Sequence, residues 1–117
     1  MNIQDFKQIY RRTVSQISAG STIARLRIDP VDPKTLRVLT HVAVENQTSA
    51  YTKCRLGISN GATDHFLDEL TTLAADELAV SRSDILLGEG DFFFAELTGT
   101  TSGDFLTMTC IGWEMEL

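Results

Sequence analysis

At 117 residues the chain is most simply one domain, long enough to bury a core without metals or several disulfides. Apolar residues make up 43% and charged residues 22%, an ordinary globular composition, and no stretch reaches the ~20 apolar residues of a membrane-spanning helix, so no membrane partner is expected. The net charge of −6 hides a polarity: residues 1–55 hold nine Lys/Arg and four Asp/Glu, whereas residues 56–117 hold only Arg82 against twelve Asp/Glu.

Residues 2–18, NIQDFKQIYRRTVSQIS, predict a helix. Ile3, Phe6, Ile9, Tyr10, Val14 and Ile17 recur at three- and four-residue steps. Gly20 behind them suits a left-handed cap. Lys7, Arg11 and Arg12 occupy the opposite face, so residues 1–20 read as a helix packed on its own domain or as an arm docked on a neighbouring subunit. The opening MNIQDFKQIYRR lacks the apolar core of a signal peptide, and folding in a cytoplasm is expected.

After Ser21 the period becomes two, and residues 21–117 read as one β-sandwich domain. Ile23, Arg25 and Arg27 alternate with Ala24, Leu26 and Ile28. Asp29-Pro30-Val31-Asp32-Pro33 is a turn, because neither proline can donate to a ladder. Thr35–Asn46 predicts a strand with Leu36, Val38, Val42 and Val44 on one face and Arg37, His41 and Glu45 on the other. Tyr51–Ser59 returns as its expected hairpin partner, and Asn60-Gly61 is a second turn signal. Residues 62–83 fit either a helix or strands; the all-strand context favours a strand near 65–70 with edge structure after it. Phe92 and Phe94 are expected inside and Phe93 on the other face, as an interface residue. The two Gly-Asp steps, Gly90-Asp91 and Gly103-Asp104, open a meander that closes on Phe105–Met115, apolar on both faces.

Catalytic patterns are missing. No G-x-S-x-G elbow or phosphate loop occurs, and GEGDFF lacks the third glycine of a dinucleotide fingerprint. An enzyme is not expected, and no cofactor. Cys54 and Cys110 sit in strand-like runs and read as buried free thiols; their spacing to His41 and His65 matches no zinc knuckle, so no metal site is expected. Asp84, Glu89, Asp91 and Asp104 lie on loops, where an aspartate after glycine caps its own turn; a calcium- or glycan-binding loop is the alternative. Nucleic acid is not an expected partner, since net acidity opposes phosphate and the basic residues are not interleaved with aromatics. The charge polarity suits association with copies of the chain or with a partner, unless strands of both halves interleave and blur it.

The stretches VLTHVAVEN (38–46), LGEGDFF (87–93) and TGTTSGDFLTMTCIG (98–112) resemble small jelly-roll virion proteins of tailed bacteriophages, including capsid decoration (cement) proteins. The similarity is a pattern of strands and turns over about two thirds of the chain. It implies a jelly-roll-like antiparallel sandwich behind an N-terminal helix or arm. It further implies a virion protein, assembled in the host cytoplasm, whose partners are itself, as a homotrimer, and the major capsid protein. A tail or head–tail junction component is the alternative. The contact candidates are Phe6, Ile9, Tyr10, Arg11, Arg12 and Phe93.

Overall fold

A computed structural model describes residues 7–81 and 83–117, except the side chain of Lys7. Among these residues nine strands and no helix occur: β1 (Lys7–Ile17), β2 (Ile23–Arg27), β3 (Thr35–Asn46), β4 (Tyr51–Ser59), β5 (Asp64–Leu73), β6 (Ala79–Val80), β7 (Ile85–Leu87), β8 (Phe92–Thr98) and β9 (Phe105–Glu116). They build two antiparallel sheets. Sheet A runs β1-β9-β3 and then β6 and β7 side by side along β3; sheet B runs β2-β8-β4-β5. Leu39, Val42, Leu106 and Met108 from sheet A meet Leu26, Leu56, Phe93 and Leu97 from sheet B in one core.

The expected helix over 2–18 is a strand from Lys7 onward, paired with β9 along eleven residues, Lys7↔Met115 to Ile17↔Phe105. Tyr10 and Val14 are the residues of β1 that pack against the core. They are four apart, a spacing that puts two side chains on one face of a helix and on one face of a strand alike. The β-branched Ile9, Thr13, Val14 and Ile17 fit the pleat better than the helix.

Two expected hairpins are sheet crossings. β3 and β4 lie in opposite sheets, as do β8 and β9, so neither consecutive pair shares a ladder. The β4–β5 hairpin does form: Asn60 Oδ1 accepts the amides of Ala62 (2.9 Å) and Thr63 (2.8 Å), and Gly61 takes φ +93°. The ambiguous middle is the edge strand β5 followed by the short β6 and β7.

Each sheet carries one bulge, and each bulge faces a glycine. In sheet A the β3–β9 register slips at Thr40, between Leu39↔Gly112 and His41↔Ile111. The slip turns Leu36 and Val38 to the face opposite Val42 and Val44, and it turns Arg37 inward. In sheet B the β4–β5 register slips at Leu67, between Leu56↔Asp68 and Gly57↔Phe66. A Cβ on Gly112 would collide with the Val38 carbonyl oxygen; one on Gly57 would come within 2.8 Å of the Phe94 ring. Here glycine is required by space, not by backbone angle.

Arg37 is buried at one end of the sandwich. Its Nε donates to Glu114 (2.8 Å), its Nη1 to the Asp29 carbonyl (2.7 Å), and its guanidinium lies 4.1 Å from the centre of the Tyr10 ring. At the other end Asp104 ties three connections together. Its Oδ2 accepts from Asn46 Nδ2 (2.8 Å), Ser49 Oγ (2.7 Å) and the Thr101 amide (2.8 Å), while the Ser18 amide donates to the Asp104 carbonyl (2.8 Å). The aspartate after Gly103 therefore caps its own turn, as expected, and also holds the β1–β2 and β3–β4 connections.

Candidate association surfaces

The outer face of sheet B is closed by its own side chains. Register sets Arg25, Glu96, Arg55 and Glu69 in one row across β2, β8, β4 and β5. Arg25 pairs with Glu96 (3.2 Å) and Asp64 (2.9 Å), and Arg55 with Glu69 (3.2 Å). Arg25 lies over the Phe94 ring at 3.9 Å, Phe66 meets that ring edge-on at 5.4 Å, and Arg55 covers Phe66 at 3.5 Å. Phe94 belongs to the outward face and is nonetheless fully buried. These cation–π contacts bury Phe94, and the large apolar side chains that sheet B still exposes, Ile23, Phe66 and Leu67, lie on its edge strands.

The outer face of sheet A carries an apolar row. Ile9 pairs with Trp113, Trp113 with Val38, and Val38 with Leu86, so four apolar residues form one row across β1, β9, β3 and β7. At the usual strand spacing that row is about 14 Å long. Its two ends stand out of the protein, Ile9 at 85% and Leu86 at 65% exposure. Met115 and Leu36 on one side and Ile111 on the other widen it, each half-buried. A patch of this kind marks a contact surface more often than bare solvent-facing sheet.

The expected contact residues divide. Ile9 and Arg11 lie on the outer face of β1, both exposed. Arg12 is exposed at the edge and pairs with Asp29 at 3.3 Å. Tyr10 points inward beneath Arg37, and burial pushes its hydroxyl pKa up. Phe93 is a correction: it is fully buried in the core, because the inward-facing residues of β8 are Phe93, Ala95 and Leu97. Phe6 lies outside the described residues. Val38 and Leu86 were missed, because the Thr40 bulge that aligns Val38 with Trp113 leaves no mark in the hydrophobic period.

No group of three His, Cys, Asp or Glu side chains able to hold a metal converges among the described residues. Asp91 accepts the Gly88 amide at 3.0 Å, Glu89 accepts the Lys34 amide at 3.0 Å, and Asp104 serves its own knot, so these three carboxylates are used internally. Cys54 and Cys110 are buried free thiols in opposite sheets, and burial pushes their pKa values up to about 11 and about 12. We expect neither to react with an aromatic disulfide reagent at pH 8 in the folded protein and both to react in denaturant; native-state labelling at the denatured rate would contradict this burial.

No protein-family model matches the sequence. No curated protein matches it either. Solved structures match the fold. A chain of the cyanophage Pam1 capsid asymmetric unit aligns with TM-score 0.55 at 15% identity, covering 93% of this chain and 84% of that one. The acid-stable capsid of Helicobacter pylori bacteriophage KHP30 gives a TM-score of 0.50 at 14% identity, over 91% of this chain and 100% of that one. A subunit of Bacillus endospore appendages, described as disulfide-linked pili, gives 0.50 at 13% identity, over 95% and 90%. At these identities the likeness is one of fold.

Proposed function

We propose that this chain is a non-enzymatic structural protein of a tailed-bacteriophage virion, a capsid decoration protein that stabilises the head by binding between capsid subunits. The observation that carries the reading is the end-to-end likeness to the Pam1 capsid chain, 93% of one against 84% of the other. The strand order supports it. Two antiparallel sheets ordered β1-β9-β3-β6/β7 and β2-β8-β4-β5 support a jelly-roll reading, an architecture that viral capsid domains use. Self-association as a homotrimer and assembly on the head in the host cytoplasm belong to the same reading.

The row Ile9–Trp113–Val38–Leu86 is the face assigned to the capsid. Burying two exposed aliphatic side chains contributes about 1.5–3 kcal/mol each. The pilus likeness favours a different assembly, but both cysteines are buried and none is placed to link subunits through disulfides.

The test is co-sedimentation with capsids of the encoding phage, collapsed and expanded. Wild type should bind. The pair Ile9→Asp and Leu86→Asp should weaken binding by roughly tenfold or more, with the thermal midpoint unchanged, since both side chains are exposed. Failure of wild type to bind either capsid form would overturn the reading, and binding to tail proteins in place of capsids would move it to the head–tail junction.

A further inference from the structure

We propose that copies of this chain associate edge to edge, the β1–β2 edge of one docking against the β5–β7 edge of the next. The inference deepens the self-association in the reading above and does not depend on the capsid as partner.

The topology sorts the charge. β1 and β2 end the two sheets on one side, and β5, β6 and β7 end them on the other. Central strands come from both halves of the sequence and mix their charges; the edges do not. β1 and β2 hold Lys7, Arg11, Arg12, Arg25 and Arg27 and no carboxylate. Residues 64–87 hold six carboxylates and one cation, Arg82, which lies outside the described residues. Asp64 and Glu69 are paired within the chain, whereas Asp68, Asp76 and Asp84 have no ion-pair partner among the described residues.

β1 and β5 are eleven and ten residues long, and among the described residues each is paired on one side only. Their other sides present backbone donors and acceptors to another strand. A furrow of about 790 Å³, with Val14, Gln16, Arg27 and Asp64 in its wall, lies between β1, β2 and the β4–β5 turn. A second of about 320 Å³, lined by Leu67, Asp68, Asp84 and Leu86, runs between β5 and β7. Leu67, the bulged residue of β5, stands out of this acidic edge at 52% exposure, and Ile17 stands out of the basic one at 58%.

Arg25 of the basic edge pairs with Asp64 of β5 within the chain, and Arg12 pairs with Asp29, but Arg11 and Arg27 on one edge and Asp68, Asp76 and Asp84 on the other have no ion-pair partner among the described residues and match between copies. A wall as long as an eleven-residue strand, about 37 Å, and two packed layers thick, roughly 20 Å, offers near the 800 Å² per partner of a stable interface. A two-fold dimer through either edge would set like charge against like. The contact is therefore head to tail, which closes into a ring or runs on as a filament.

Light scattering on two charge-reversed variants tests this. One carries Arg11→Glu and Arg12→Glu, the other Asp68→Lys and Asp84→Lys; each must keep the wild-type circular dichroism and thermal midpoint. Wild type should form species larger than a dimer, with association on the order of tenfold weaker in 0.5 M salt than in 0.05 M. Each variant alone should stay monomeric, and an equimolar mixture should assemble, because every edge then meets its opposite. A monomeric wild type, variants that assemble alone, or a mixture that stays monomeric would each overturn the inference. Capsid co-sedimentation reads separately: an oligomer that ignores capsids removes the decoration reading and leaves edge pairing intact, and a capsid-binding monomer does the reverse.

Discussion

Gly112→Ala will unfold or severely destabilise the protein, by about 4 kcal/mol or more. Gly112 lies in β9, the central strand of sheet A, opposite Leu39 where the β3 register slips. Its missing side chain leaves room for the β3 backbone. A Cβ there would meet the Val38 carbonyl oxygen and would lie 2.8 Å from the Leu39 Cα. Backbone in a central strand cannot rotate away as a flexible side chain can. Relief would require opening the β3–β9 ladder, the longest in sheet A with β1–β9. A drop in thermal midpoint on the order of 15 °C is expected. Gly61→Ala is the control, since a Cβ there meets nothing within 4 Å and only its φ of +93° opposes the change. It should cost about 1 kcal/mol. Equal effects of the two changes would show that the bulge yields.

The second large effect is expected at Asp104. Asp104→Ala leaves the buried Asn46 amide without its acceptor and removes two further hydrogen bonds to a charged oxygen, a loss of about 3 kcal/mol. Asp104→Asn keeps the shape and loses the charge, and should cost less. The two separate in acid. Burial raises the Asp104 pKa, but the hydrogen bonds from Asn46, Ser49 and the Thr101 amide outweigh it, so the folded carboxyl titrates below its usual value. The unfolded chain then binds the proton first. The contribution of Asp104 is whole above the unfolded pKa of about 3.9 and is lost as the pH falls through the lower folded value. Denaturant midpoints measured from pH 5 to pH 2 should fall more steeply for wild type than for Asp104→Asn. Parallel slopes would mean that the carboxylate is not what ties the connections.

The inward faces of β2 and β4 were legible from their apolar alternation: Ala24, Leu26 and Ile28 are buried as their spacing predicts, and Cys54 and Leu56 likewise. β9 is apolar on both faces, and only the structure shows that Leu106, Met108 and Cys110 are the inward set. β3 was half legible. Its alternation continues on paper through Thr40, but the bulge inserts a residue there, and the residues on either side exchange faces. β1 was misread because a four-residue apolar step satisfies both periods. Phe93 was misread for a related reason. Three consecutive phenylalanines carry no phase, and the outward one is buried by Arg25 and Phe66 from other strands.

The contact residues divide along the same line. Ile9, Arg11 and Arg12 are exposed, as a contact role would require, but they lie on a strand and not on the expected helix. Trp113, Val38 and Leu86 come from three strands far apart in sequence and become one surface only through register.

By itself the sequence determined that the fold is β-rich from Thr22 onward, where most turns fall, which residues form most of the core, that both cysteines are buried, and that charge is divided between the halves of the chain. These are properties of composition and of local period, and they hold whichever strands pair. Tertiary structure alone decided that β3 and β4 separate into different sheets, that two bulges turn side chains over, and that the divided charge ends on opposite edges. Pairing is a choice among strands of similar local pattern. It is settled by how two layers bury one core and by where a glycine lets backbones approach, which no single segment encodes.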